Sequence, residues 1–317
     1  MTTGFGELPD GGAVRKFTIG DPPGPVVELL DLGATVHRLD ITSGDGRRRN
    51  VVLGLPSPAD YLASTEYVGG IIGRYANRIA AGRFELDGRE VRVATNDRGH
   101  HLHGGPEGFD RRMWELVDLG RTHAVLRMVS PDGDQGFPGE LTATARFEAH
   151  ADRVAIGLSA STTEPTVVNL TSHAYFDLGE DHELAIPADT YTPVDATGIP
   201  IDGHAPVAGT PFDFRTARPI GAEAIDHNYV VDGTGIRTAA VLESPRTRTR
   251  LEVRSDQPGL QVYTGNPPGG IALEPQRFPD SPHHDDFPSV VLRPGETYSS
   301  VIEWVFVPTP GAERLRT

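Results

Sequence analysis

Val167-Val-Asn-Leu-Thr-Ser-His-Ala-Tyr-Phe-Asp-Leu178 is the stretch from which the fold is read. Taken with a two-residue period, Val168, Leu170, Ala174, Phe176 and Leu178 fall on one side, with Ser172 the only polar member. Asn169, Thr171, His173, Tyr175 and Asp177 fall on the other. Alternation over this length predicts a β-strand with one face in a core. A solvated face is built from long charged side chains, whereas this one carries short hydrogen-bonding groups around one imidazole and one phenol. Such groups grip hydroxyls and move protons near neutral pH. The stretch is therefore expected to wall a small-molecule site, with His173 at its centre.

Moving outward, short apolar runs bounded by Gly and Pro predict many more strands. Val26–Leu30, Thr35–Leu39 and Asn50–Leu53 lie toward the N-terminus. Trp114–Leu119, Ala124–Val129, Leu141–Ala149 and Arg153–Ser159 precede the central stretch, and Leu251–Arg254, Leu260–Thr264, Gly270–Glu274 and Tyr298–Val307 are among those that follow it. Phe84–Val93 reads as a hairpin turning on Asp87-Gly88, the pair suited to a tight I′ turn. Ser57-Pro58 predicts the start of one short helix ending near Ala63, with Ser57 as cap. No long segment of helical period exists, so the expected fold is all-β: a large sandwich of antiparallel sheets with very few short helices. Without a linker or fixed-period repeat, residues 1–317 are expected to form a single domain, frayed from about Pro308.

The chain carries 44 acidic and 29 basic residues, a net charge of −15, which repels polyanions and argues against nucleic-acid or anionic-membrane partners. There is no cysteine, which excludes disulfides, thiolate nucleophiles and cysteine metal sites. No apolar run is long enough to span a bilayer, and the start shows no signal-like pattern, so a soluble cytoplasmic protein is expected.

Candidate chemistry sits in several segments. His101-Leu-His-Gly-Gly105 places His101 and His103 on one side of Leu102 before a glycine pair; packed histidines fit the spacing as well. Ile271-Ala-Leu-Glu-Pro-Gln276 puts Glu274 and Gln276 on one side, with Pro275 expected near a strand end or edge. In Asn77-Arg78, Arg78 could hold a sugar hydroxyl or pair with a surface acid, and Asp226 could bond vicinal hydroxyls or serve as a turn residue. Gln261 repeats the polar-face pattern. Asp280-Ser-Pro-His-His-Asp-Asp286 has metal-like composition, but His283 and His284 would point oppositely if extended, so a solvated loop is expected.

Together these segments resemble the aldose 1-epimerases, or galactose mutarotases. The resemblance rests on Gly73-Arg-Tyr-Ala-Asn-Arg-Ile79, Leu102-His-Gly-Gly105 with Gly108-Phe-Asp110, Asn169-Leu-Thr-Ser-His-Ala-Tyr-Phe176, Asp226-His-Asn228, Pro258–Asn266, Leu273-Glu-Pro-Gln276 and Pro294–Tyr298. It implies a galactose mutarotase-like β-supersandwich and cofactor-free, metal-free interconversion of the anomers of a free sugar. By position, Glu274 would be the general base, His173 the general acid and His103 an aid at the anomeric end. Asn77, Arg78, Asp226 and Gln261 would grip the sugar. Pro267-Pro-Gly-Gly270 is shorter than the insertion many members carry, and His283 stands where members often have Asn.

Two alternatives keep the fold: a hexose-6-phosphate 1-epimerase, drawing cations from Arg74, Arg78, Arg111 or Arg112, and a non-catalytic carbohydrate-binding protein. A glycosidase would need Asp226 to partner Glu274. Sugar preference and oligomeric state are left open by the sequence.

Overall fold

A computed structural model of the chain describes residues 1–201, 203–221, 224–265 and 269–308. Among them the architecture is a large antiparallel β-sandwich with one short α-helix and a few 3-10 turns. The largest sheet runs Glu115–Leu119, His123–Ser130, Leu141–Ala149, Arg153–Thr162, Tyr298–Pro308, Thr249–Ser255, Arg237–Ser244, Glu183–Ala185 and Arg218–Pro219. In its Leu141–Ala149 strand, Leu141, Ala143, Ala145, Phe147 and Ala149 are buried and the residues between them are not. One covered face is the usual state of an antiparallel sheet.

A second sheet carries Tyr175–Phe176, Ile271–Gln276, Gly259–Tyr263, Asp226–Val230, Thr190–Thr192 and Ala205–Pro206. A third begins with Thr2–Glu7 and Ala13–Ile19, two strands the sequence reading did not identify. Thr2–Glu7 is an edge strand with no buried residue, so it lacks the apolar alternation that would reveal it. One hydrophobic cluster draws on all three sheets: Phe17 and Leu29, Phe147 and Trp304, Leu260 and Leu273.

The central stretch departs from the expected single strand. It forms three two-residue ladders with different partners: Thr166–Val167 with Leu292 and Val291, Thr171–Ser172 with Ile72 and Ile71, and Tyr175–Phe176 with Ala272 and Ile271. The face assignment still holds, since Val168, Leu170, Ala174, Phe176 and Leu178 all enter the main core. The polar side is not solvated either, except at Asp177 near its end. Asn169, Thr171, His173 and Tyr175 are all buried, because the segment threads between sheets instead of lying on one.

Local chemistry explains the smaller elements. Ser57 Oγ accepts from Asp60 N at 3.2 Å and caps the helix Pro58–Ala63, as expected. Asp87 and Gly88 both take positive φ, 50° and 76°, closing the hairpin of Arg83–Leu86 and Arg89–Arg92. The expected frayed tail from Pro308 falls almost wholly outside the described residues, as do Asn266, Pro267 and Pro268 of the short connection.

Candidate active site

Sheet register builds the floor of the site. Gln261 pairs with Glu274 on one side and Asn228 on the other; Tyr263 pairs with Ala272 and Asp226; Tyr175 also pairs with Ala272. Directly paired residues share a face. One row therefore holds Glu274 and Gln261, and the next holds Tyr175, Ala272, Tyr263 and Asp226. Two residues beyond Tyr175, the register brings His173 beside Glu274, and Nε2 of one lies 3.5 Å from Oε1 of the other. Ala272, the smallest member, leaves space between the two tyrosines.

Pro275 was expected near a strand end or edge, and it is the penultimate residue of Ile271–Gln276, a strand internal to the sheet. The Tyr175–Phe176 ladder covers only Ala272 and Ile271, so no partner asks for an N–H at Pro275. Its carbonyl instead accepts from Thr171 Oγ at 2.8 Å. Asn169 donates to the carbonyls of Ala76 and Arg277 and accepts from Arg277 N. That side chain ties the Asn77 loop to the end of the Glu274 strand.

The wall comes from Gly73–Ile79 and His101–Gly105, joined by pairing of Arg78 with Leu102. Tyr67, Asn77 and His103 all line the cavity and all take left-handed backbone, φ 54°, 64° and 51°. Such conformations in non-glycine residues cost about 1–3 kcal/mol each and gather at ligand sites. The Asn77 backbone N–H donates to His103 Nδ1 at 3.1 Å. In a neutral ring that places the proton on Nε2, leaving a donor for the cavity. The Tyr67 ring packs 4.6 Å from His103 and 5.9 Å from His173. The cavity measures about 220 Å³, small beside the ~300–1,000 Å³ of most ligand sites, so it suits one small molecule.

Burial dominates the electrostatics. It lowers the pKa of His173 and raises that of Glu274, with the Asp226 carboxylate raising the latter further. It also holds His103 well below the ordinary imidazole value, helped by the neighbouring His173. Both members of the central pair are thus pushed toward their uncharged forms. Glu274 Oε2, His173 Nδ1, Gln261 Oε1 and the Tyr175 hydroxyl have no partner among the described residues. Unpartnered buried polar atoms converging on a cavity mark a place where a polar ligand belongs.

His103, His173 and Glu274 offer donor atoms within 4.8 Å of one another, a spacing a cation could bridge. The Asn77 amide argues otherwise, because it occupies one nitrogen of His103 and directs the proton to the second.

The structure gathers Glu274, His173, His103, Asn77, Arg78, Asp226 and Gln261 around this one cavity. Gln261 Nε2 donates to Asp226 Oδ1 at 2.6 Å, and Arg78 Nε to Asp97 Oδ2 at 2.8 Å. His101 is not among them. Strand pairing ends at Leu102 and the chain turns at His103, so the two imidazoles diverge. His101 packs against Phe137 and bonds the Ala94 carbonyl. Arg74 is also spent elsewhere, donating to Ser130 Oγ and to the carbonyls of Ser130, Pro131 and Pro138. Arg111 bonds Leu62 O and Arg112 bonds Asp134.

The loop after Phe278 is less solvated than expected. Asp280 is buried, accepts from Ala80 N, and draws both His283 and His284 to its own carboxylate. Sequence reasoning missed Tyr67, Glu66 and Arg98 in the cavity lining. The first two sit in Thr65-Glu-Tyr-Val-Gly69, where no period singles them out.

The sequence matches the family described as Aldose 1-epimerase over residues 15–304. It is 40% identical to the aldose 1-epimerase of Escherichia coli (strain K12), over 94% of this chain and 97% of that protein. It is 38% identical to the galactose mutarotase of Homo sapiens, over 93% and 94%. Among solved structures, the galactose 1-epimerase from Lactobacillus acidophilus NCFM superposes with a TM-score of 0.85 at 31% identity, covering 97% of this chain and 98% of that one. The GalM/aldose epimerase homologue from C. elegans gives 0.89 at 26% identity, covering 94% and 100%.

Proposed function

The chain belongs to the aldose 1-epimerase family and is an isomerase of that class; from this premise we propose that Glu274 and His173 interconvert the α and β anomers of a free hexose such as galactose or glucose. The observation that carries the assignment is their position: both are buried on the cavity floor, 3.5 Å apart, with further polar atoms left unpaired around them.

Mutarotation opens a hemiacetal, lets the C1–C2 bond turn, and closes the ring on the other face. Glu274 takes the proton of the anomeric hydroxyl while His173 gives one to the ring oxygen, and the roles reverse on closure. His103, fixed as an Nε2 donor, assists at the anomeric oxygen. Asn77, Arg78, Asp226 and Gln261 hold the remaining hydroxyls. The reaction forms no covalent adduct with the protein and changes no oxidation state, so acid and base groups suffice. Each positioned proton-transfer group typically contributes ~10²–10⁴-fold.

Of the four arginines considered for a phosphosugar, Arg74, Arg111 and Arg112 bond partners away from the cavity and Arg78, which lines it, is paired with Asp97, so a free sugar is the better-supported substrate. We also propose that the chain folds as one domain, on the strength of the core shared by all three sheets.

Polarimetry on freshly dissolved α-D-galactose tests the assignment. The wild-type protein should accelerate the decay of rotation, and Glu274→Gln should lose ~10²–10⁴-fold in kcat with an unchanged circular dichroism spectrum. Near-wild-type turnover by that variant would sink the role given to Glu274. Sugar binding without any acceleration by the wild type would select the non-catalytic reading.

A further inference from the structure

Tyr175 is fully buried, lines the cavity, and has no hydrogen-bond partner for its hydroxyl among the described residues. Its ring is fixed by neighbours, with centroids 5.0 Å from His173 and 6.2 Å from Tyr263. On the opposite side of the same strand, Phe176 meets the Trp304 ring edge-on at 5.1 Å. Burial, then the nearby Glu274 and Glu66 carboxyls, drive the phenol's pKa up, so it remains a donor at any working pH. A buried hydroxyl without an acceptor is costly, and a bound sugar oxygen would relieve it.

The catalytic assignment says which oxygen. With His173 serving the ring oxygen and Glu274 the anomeric one, the O5–C1–O1 line runs from the strand of His173 toward that of Glu274. The atom on the far side of O5 from C1 is C5, which carries C6. The hydroxymethyl group therefore lies on the His173 side, where Tyr175 follows two residues along on the same face. Beside it, Glu66 Oε2 lies 3.4 Å from the Tyr263 hydroxyl, and both residues line the cavity. The arginines that line it, Arg78 and Arg98, both bond Asp97.

We propose that Tyr175, flanked by the Glu66–Tyr263 pair, is the part of the pocket that reads C6: the phenol donates to the 6-hydroxyl, and the Glu66 carboxylate bars an anionic group there. The inference rests on the mutarotase reading and the roles it gives His173 and Glu274. It makes the enzyme selective for neutral aldohexoses over both 6-deoxy and 6-phosphorylated ones.

The test is polarimetric kcat/KM for D-galactose, 6-deoxy-D-galactose and D-galactose 6-phosphate. The wild type is expected to favour galactose over the 6-deoxy sugar by about tenfold, the worth of one hydrogen bond to a buried group, and to turn over the phosphate far more slowly. Tyr175→Phe keeps the ring packing and should bring the galactose to 6-deoxygalactose ratio close to one. Glu66→Gln should raise the ratio of phosphate to free sugar by about tenfold, since one partly screened charge contact is removed. A preference for galactose that survives Tyr175→Phe, or a phosphate ratio unmoved by Glu66→Gln, would overturn the proposal while leaving the mutarotase reading intact. Wild-type protein inactive on all three sugars would sink both together.

Discussion

At the scale of single residues the proposed chemistry turns on two groups that burial moves in opposite directions. His173 is pushed below the ordinary imidazole value of 6.5 and Glu274 above the ordinary carboxyl value of 4.5. Between those displaced values the pair holds one proton. It is a carboxylic acid beside a neutral imidazole or, after transfer, a carboxylate beside an imidazolium. Either form has one group able to give a proton and one able to take it. Protonating both at low pH removes the acceptor, and stripping both at high pH removes the donor. The dependence of kcat/KM on pH should therefore be a bell whose limbs belong to the pair. Its acid limb lies below pH 6.5, because folded His173 resists protonation there, and its alkaline limb is carried upward with Glu274. The same sign applies to stability: the contribution of His173 is complete above 6.5 and lost as pH falls through its folded value. Rates measured from acid through alkaline pH read both limbs. An acid limb at 6.5 or higher would mean His173 titrates as a solvated imidazole and the site is wetter than its burial indicates.

At the scale of elements, the site depends on backbone closing tightly behind the imidazoles. Gly104 takes φ +91°, and a Cβ there would stand 1.7 Å from the carbonyl oxygen of Gly73. The backbone carbonyl cannot swing away, because it accepts from Phe109 N. Gly104→Ala should then cost several kcal/mol, roughly 3 or more, through strain and lost contact, and displace His103 from the wall. Thermal denaturation beside polarimetry checks this, and a variant with wild-type Tm and rate would show that the turn yields more than its packing implies. The elements also show what the sequence could and could not reveal. Asp87-Gly88 and Ser57-Pro58 were legible because turn and cap chemistry is local. The breaks within Val167–Leu178 were not, because its three ladders depend on partners at Ile71, Ile271 and Val291, far away in the chain. Alternation identifies a buried face, but it cannot say how many sheets share it. His101 and His103 diverge for the same reason, since the left-handed turn between wall and core leaves no trace in their spacing.

At the scale of the molecule, Glu274, Gln261 and Asp226 were legible because polar side chains at alternate positions of strands have few structural uses when buried, whereas Asn77 and His103, which a loop and a turn supply, were named through the family resemblance. Arg74 shows the limit of that logic, since a cation in the same motif became an internal brace bonding Ser130 and Pro131. Glu66 and Tyr67 were missed because a loop supplies them, and loops carry no period. The net charge is −15, and no helix among the described residues is long and apolar enough to cross a membrane. What unites the molecule is the core. Phe176 lies behind the cavity and meets Trp304 of the large sheet, and the same cluster reaches Phe17 near the N-terminus. Opening either sheet exposes residues that the other needs, so neither should persist alone. Unfolding in guanidinium is therefore expected to be one cooperative transition, with secondary structure and tryptophan fluorescence lost together. Both tryptophans, Trp114 and Trp304, are buried in that cluster and report on it directly. Circular dichroism and fluorescence followed across one titration decide the matter. Two separated midpoints, with the fluorescence change complete while half the ellipticity remains, would show that the sheets fold as independent units, and the single-domain proposal would fail.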